Sequence, residues 1–376
     1  MERVDNVRKK LEDYGVDALL VTNMYNVRYL ANFTGSTGLV VITKENAYFV
    51  TDFRYTEQAA EQAKGFEIIK NTGLIYEEVA NIVQKDGIKT LGFEETNITY
   101  ATYTQLDDLI DCDLEPISGL VEKIREVKTD EEIDTIQEAV NIVEKAYDYI
   151  LGYVKPGVTE IEVANELDFY MRNLGAAGVS FDTIVASGVR SAMPHGVASD
   201  KVIEEGDMVT IDFGCYYKGY TSDMTRTFAV GDPGEELKKI YEIVFQANKK
   251  VTEAAKPGMT GAELDAIARD YITEYGYGEA FGHTTGHGIG LEVHEGPAIS
   301  FRNKNELVVN NVITNEPGIY IPGLGGVRIE DDLVITENGN FNLMTSSKEL
   351  IIIEWFYLKE QAEFLFLILV KDEDSW

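Results

Sequence analysis

The chain is poor in sulfur, in histidine and in positive charge. Among its 376 residues are two cysteines, Cys112 and Cys215, and four histidines. Two cysteines cannot build a disulfide framework, which points to a reducing compartment. Lysine and arginine number 33 against 65 acidic residues, for a net charge of −32. That balance argues against nucleic acid and anionic membrane as partners, since both want basic patches. Long apolar runs are missing too. The run FLFLILV, Phe364 to Val370, is far short of the roughly 20 residues a membrane span needs. The opening MERVDNVRKKLEDYG reads as a charged amphipathic helix without the apolar stretch of a signal peptide. The expected location is the cytoplasm.

What is present suits two domains, because 376 residues exceed one ordinary core. In residues 1–127, strand signals (VDALLVT, GLVVIT, NAYFVTD, FEIIKN, KTLGFEE) alternate with helix signals (TEQAAEQAKG, YEEVANIVQKDG), predicting an α/β layer domain. A long helix then opens at TDEEIDTIQEAV, where Thr129 and Glu132 fit a capping box.

Residues 128–354 carry an internal repeat. KPGVTEIEVANELDFYMRNLG from Lys155 aligns without a gap on KPGMTGAELDAIARDYITEYG from Lys256. Thr159 and Thr260 cap the two helices, and Gly175 and Gly276 close them. Downstream, MVTIDFG resembles VITNEPG and sets Asp212 against Glu316. The expected fold is α+β: two halves related by a pseudo-twofold, each of helices and antiparallel strands. The tail, residues 355–376, fits neither half and is assigned no role.

Asp212 ends an apolar strand, and Asp223 opens the return strand of a hairpin turning at Tyr217 to Gly219. Glu316 and Glu330 flank a second hairpin centred near Gly323. Facing residues on antiparallel strands have Cβ atoms about 5 Å apart. Two ionised carboxylates that close repel unless a cation lies between them or one stays protonated. Three of the four histidines, His283, His287 and His294, stand in the stretch FGHTTGHGIGLEVHEGP. Its glycines disfavour a helix, so a strand or bend aimed at the acids is predicted. Four carboxylates with one imidazole would make a two-metal site, for which mixed oxygen and nitrogen ligands suit Mn, Co, Fe or Zn better than Ca or Mg.

Taken together, IDFG, SDMTRT, GHGIGLEVHE, EPGIY and GVRIEDD resemble the pita-bread metallopeptidases: methionine aminopeptidase, aminopeptidase P and prolidase. The resemblance runs from Met1 to about Glu354. It implies that Asp212, Asp223, His287, Glu316 and Glu330 are the metal ligands, with Asp223 and Glu330 bridging two ions, most commonly Mn, with Co or Zn as alternatives. The creatinase-type N-terminal domain and His195 in PHGVASD narrow the resemblance to the Xaa-Pro peptidases. Their substrates are peptides with proline at the second position, and they are commonly homodimers. The resemblance further implies that Glu316 shuttles a proton and that His195, His294 and His283 hold substrate or the oxyanion. Tyr320 joins that group, and Arg328 orients carboxylates. Alternative readings are methionine-aminopeptidase-like specificity or a non-catalytic binding protein of the same fold. Three departures stand out. Asn310, Asn311 and Asn315 replace the usual glycine or apolar residues, and Asn315 is expected to loosen its strand. Ala298 stands where some prolidases have arginine. Cys215, close to Asp212, reads as structural.

Overall fold

The computed structural model describes residues 1–357 and 364–370. The chain forms two compact units that meet between Arg125 and Glu126.

The first unit is a six-stranded mixed sheet with strands β1 (Ala18–Val21), β2 (Leu39–Thr43), β3 (Ala47–Thr51), β4 (Glu67–Lys70), β5 (Thr90–Glu94) and β6 (Asp113–Ile117), in the order β4-β3-β2-β1-β5-β6. Its helices are α1 (Glu2–Leu11), α2 (Met24–Ala31), α3 (Thr56–Gln62), α4 (Ile75–Asp86), α5 (Tyr100–Leu109) and α6 (Leu120–Arg125). Every residue of β1, β2 and β3 is buried, so these strands read as continuous apolar runs. β6 is absent from the sequence reading because DLEPI is an edge strand, mostly solvent-facing, in which acid and proline break the pattern. α2 was missed as well. It is short and is started by Asn23, whose side chain accepts from the Tyr25 and Asn26 amides.

The second unit begins with α7 (Asp130–Tyr153) and α8 (Glu160–Asn173). Strands β7 (Gly178–Val179), β8 (Ile184–Ser187), β9 (Asp207–Phe213), β10 (Cys215–Tyr217), β11 (Tyr220–Thr221) and β12 (Met224–Val230) follow. Next come α9 (Glu235–Ala254) and α10 (Gly261–Glu274). The chain continues through β13 (Gly286–Gly288), β14 (Glu295–Ile299), β15 (Val312–Asn315), β16 (Gly318–Ile321), β17 (Gly325–Arg328), β18 (Asp331–Thr336), β19 (Gly339–Asn342) and β20 (Ile351–Tyr357). The repeat is structural. Two helices and the β9–β12 hairpin are followed by two helices and the β15–β18 hairpin. Full capping boxes stand at Thr129/Glu132, Thr159/Glu162 and Thr260/Glu263. Gly175 (φ 107°) and Gly276 (φ 87°) end the repeat helices in a conformation that other residues avoid.

α7 buries Ile136, Ala139, Val140, Val143, Ala146, Ile150 and Leu151, a stripe at helical spacing that packs with α8 residues and with Val209, Ile211 and Phe213 of β9. α9 and α10 close the second core over Ile313, Ile319, Val327 and Leu333. Fully burying one such side chain is worth roughly 1.5–3 kcal/mol, so each helix pair holds its hairpin firmly. In the tail, Phe364–Val370 forms a strand antiparallel to β20, while residues 358–363 and 371–376 lie outside the described residues. Among the described residues, no helix is long and apolar enough to cross a membrane.

Candidate metal centre

The second hairpin opens where both of its acids sit, and the first opens at Asp223, beyond the paired Asp212. In the second, Asn315 is opposite Asp331 and Gly318 is opposite Arg328. The register is unchanged across the gap, so Glu316 and Glu330 face each other where the ladder is interrupted. Pro317 has no N–H to give there. The Glu316 amide instead donates to Thr285 O (2.8 Å) and the Glu330 amide to Thr225 O (3.1 Å). In the first hairpin, Tyr217 is opposite Tyr220, and Lys218 (φ 48°) and Gly219 (φ 91°) form the turn. The ladder places Thr225 rather than Asp223 opposite Asp212. Asp223 stands two residues before Thr225, a diagonal neighbour of Asp212 instead of its direct partner.

His287 occupies the middle of β13. A Cβ at Gly286 would collide with Thr314 O, and one at Gly288 with Gly296 O. That close approach is why the histidine stretch is punctuated by glycine. His287 Nδ1 lies 3.0 Å from Gly288 O. A proton on Nδ1 leaves the Nε2 lone pair facing the acids, 3.6 Å from Asp223 Oδ2 and 3.5 Å from Glu316 Oε1. Donor atoms of Asp223, His287 and Glu330 all lie within 4.8 Å of one another.

The electrostatics of this cluster call for a cation. Burial pushes the Asp223 and Glu330 carboxyls well up, and the neighbouring carboxylates push them further. Burial raises Glu316 to about 8, although Arg328 pulls the other way. Burial also lowers His287 to about 4, with His294 adding to the effect, so the ring is neutral at pH 7. Asp212 Oδ1 is buried with no hydrogen-bond partner among the described residues. Clustered carboxylates, a neutral imidazole lone pair and an orphaned oxygen fit a divalent metal of borderline softness.

A second layer fixes the acids. Arg328 Nη2 donates to Asp212 Oδ2 (2.6 Å), Nη1 to the Tyr320 hydroxyl (2.6 Å) and to Pro194 O (3.2 Å), and Nε to Thr225 Oγ1 (3.1 Å). Thr225 Oγ1 in turn donates a hydrogen bond to Glu330 Oε2 at 2.6 Å. The Tyr320 hydroxyl lies 2.8 Å from His283 Nε2, whose ring is lowered to about 4 by burial and by Arg328. A cavity of about 470 Å³ opens onto the cluster. Nine of the ten candidate residues line it: Asp212, Asp223, His287, Glu316, Glu330, His195, His283, His294 and Arg328. Tyr320 stands behind the wall, bonded to Arg328. Phe181, Ile184, Pro194, Val197, Val293 and Ala298 give the cavity an apolar side.

Several residues escaped the sequence reading. Asp332 is fully buried behind Asp223, its Oδ2 accepting the Asp223 amide (3.2 Å). Arg226 runs buried along β12 and donates to Glu330 O and to Asp331 Oδ1 (2.8 Å). The alternation TRT in β12 was the only available signal. Asn315 corrects an expectation: it fastens its strand rather than loosening it. Its Nδ2 donates to Asn248 O (2.9 Å) and Thr252 Oγ1 (3.0 Å), while Asn248 Nδ2 donates back to Asn315 O (2.9 Å). Cys215 is buried, and burial pushes its thiol up to about 11, so it is a neutral thiol at pH 7.

Residues 134–337 match the model of metallopeptidase family M24, and residues 3–127 match the creatinase/prolidase N-terminal domain. The chain belongs to metallopeptidase family M24. It is a metal-dependent hydrolase with a creatinase-type domain ahead of the M24 domain. An uncharacterized peptidase of Bacillus subtilis, YqhT, is 54% identical over 352 residues, covering 93% of this chain and 100% of that protein. The solved structure of an Xaa-Pro dipeptidase from Bacillus anthracis is 55% identical with a TM-score of 0.93, over 94% of this chain and 99% of that one. That of an X-Pro aminopeptidase from Thermotoga maritima is 42% identical with a TM-score of 0.86, over 92% and 99%. The M24 domain thus carries the pita-bread fold expected from the motifs.

Proposed function

We propose that the protein is a dinuclear-metal Xaa-Pro peptidase that hydrolyses the bond before proline in Xaa-Pro dipeptides and at the N-terminus of longer peptides. The observation that carries the reading is the convergence of Asp223 from one hairpin and Glu316 from the other on His287, with Asp212 Oδ1 left unpartnered. The similarity to an Xaa-Pro dipeptidase and an X-Pro aminopeptidase supports proline at the second position.

In this reading Asp212, Asp223, His287, Glu316 and Glu330 hold two divalent ions, most commonly Mn, with Co or Zn as alternatives. Bound metal supplies Lewis acidity, polarising the scissile carbonyl and lowering the pKa of water. The remaining steps belong to the chain. Glu316, kept ionised by bound metal, accepts the proton that water loses as the new C–O bond forms. It returns that proton to the proline nitrogen as the C–N bond breaks. His294 is held neutral by burial and donates an N–H to the carbonyl oxygen as charge develops there. His195 and His283 hold the peptide, and the apolar side of the cavity takes the proline ring. We also propose a cytoplasmic homodimer, in keeping with the family resemblance and the two free cysteines.

The test is hydrolysis of Ala-Pro, Ala-Pro-Ala and Met-Ala by Mn-loaded protein, with a chelated control. Cleavage of the two proline peptides alone, abolished by chelation, is the expected result. Cleavage of Met-Ala with Ala-Pro left intact contradicts the specificity, and no cleavage of any peptide contradicts the activity.

A further inference from the structure

The segment carrying His195 leaves β8 at Ser187 and returns at Ser199. Apolar burial does little to hold it, since Val189, Met193 and Val197 are 57%, 51% and 48% exposed. Polar ties hold it: Ser191 Oγ accepts from the Gly326 amide (2.8 Å) in mid-loop, and the ties at the two ends converge on one side chain. Glu160, the first residue of α8, is fully buried. Its Oε1 accepts from the Ser187 amide (2.8 Å) and hydroxyl (2.9 Å). Its Oε2 accepts from the Ser199 hydroxyl (2.6 Å), the Ser199 amide (3.2 Å) and Arg190 Nη1. One carboxylate therefore joins both ends of the loop and a point along it. Arg190 Nη2 extends the clamp to Val197 O (3.1 Å), two residues beyond His195. On its other side the loop meets the metal cluster, where Pro194 O accepts from Arg328 Nη1 (3.2 Å).

We propose that Glu160 is a positioning residue for peptide binding. It sets the loop that presents His195, Pro194 and Val197 to the cavity, and it acts through His195 rather than through the metals. This rests on the reading that the cavity takes Xaa-Pro peptides. The second half of the repeat carries a comparable acid–arginine pair at a different helix position, since Gly261 aligns with Glu160. Asp265, fully buried on α10, accepts from the Thr285 amide (3.0 Å) and hydroxyl (2.9 Å) and pairs with Arg269, which donates to His283 O (2.8 Å). Each half thus uses one buried acid and one arginine to hold its histidine segment.

A carboxylate is required at Glu160 because donors approach both oxygens. The amide of glutamine can accept on one side only, and its NH₂ would face the donors on the other. With Mn-loaded full-length protein, Glu160→Gln is expected to raise KM for Ala-Pro on the order of 10-fold, the scale of lost hydrogen bonds to a charged acceptor. kcat should change by no more than about 3-fold in that variant, with the metal content unchanged and amide hydrogen exchange faster in residues 188–198. Combined with His195→Ala, it should cost nothing further, because both changes act through the same contact. Wild-type KM and exchange in Glu160→Gln, or losses that multiply in the double variant, would overturn the proposal. Should Glu160→Gln fail to fold, Ser199→Ala removes one tie at one end of the loop and carries the same comparison. A wild-type protein inactive on Ala-Pro would instead defeat the substrate reading, while the exchange comparison still decides whether Glu160 holds the loop.

Discussion

Glu316 and Glu330 face each other at the one place where the β15–β18 and β16–β17 ladders, which share a single register, are interrupted. Each gives its amide to a neighbouring segment, Glu316 to Thr285 and Glu330 to Thr225. The hairpin is thereby held open around two carboxylates that would otherwise repel. The site is a gap in a sheet, and its chemistry follows from what fills that gap.

The gap makes the metal-free protein sensitive to alkali. Burial raises Glu316 from 4.5 to about 8 and moves Asp223 and Glu330 the same way. The folded state then binds protons more tightly than the unfolded chain, so stability falls as pH rises through the folded pKa. His283 and His287, lowered from 6.5 to about 4, oppose this trend only below pH 6.5. The chelated protein should therefore lose Tm between about pH 7 and 8.5, and the gain in Tm on adding Mn should grow over the same range. Thermal scans with and without metal check this, and a metal-free Tm that rises from pH 7 to 8.5 would contradict it.

His287 and His294 should separate in their effects. His294→Ala removes a donor that acts on charge developing in the transition state, so kcat should fall on the order of 10²-fold or more with the metal retained. His287→Ala should lose metal affinity as well as activity. Steady-state kinetics beside metal titration of both variants distinguishes them, and near wild-type kcat in His294→Ala would remove it from the mechanism.

Arg328 should not be replaceable by lysine. Its guanidinium serves Asp212, Tyr320, Pro194 and Thr225 at once, a fork that an ammonium cannot reproduce. Arg328→Lys should cost roughly 10–100-fold in metal affinity or activity, the usual scale for residues that orient ligands. Tyr320→Phe keeps the arginine and should cost less. Calorimetric Mn titration ranks the two.

Asn315→Leu should destabilise the metal-loaded protein by about 1–3 kcal/mol, because the Thr252 hydroxyl loses its donor and the Asn248 carbonyl, which keeps the Thr252 hydroxyl, loses one of its donors in a buried place. Urea unfolding measures this, and an unchanged or higher stability would show that Asn315 does not fasten the strand.

The sequence was most legible where structure is local. Thr129, Thr159 and Thr260 each have their glutamate three residues on, and the capping boxes formed there. The turns at Lys218–Gly219 and Gly323 are equally short-range, and they bring the acids near one another. What was not legible depends on distant partners. Arg226 meets Asp331 across 105 positions, and Asp332 meets Asp223 across 109. Glu160 finds its serines 27 and 39 positions away. No local pattern marks such residues, because a buried acid and a solvated one look alike in sequence. Asn315 misled for the same reason: its partners lie on α9, out of reach of any short window.

The most direct test of the account is Mn titration of chelated protein, followed by elemental analysis, on wild type and on Glu330→Gln. Glu330 faces Glu316, and its Oε2 is held by Thr225 on the other hairpin; in the proposed function it would serve both ions. The account predicts about two Mn per chain in wild type and weakened binding of both in Glu330→Gln. No Mn in wild type, or a variant that keeps both ions at full affinity, would contradict it.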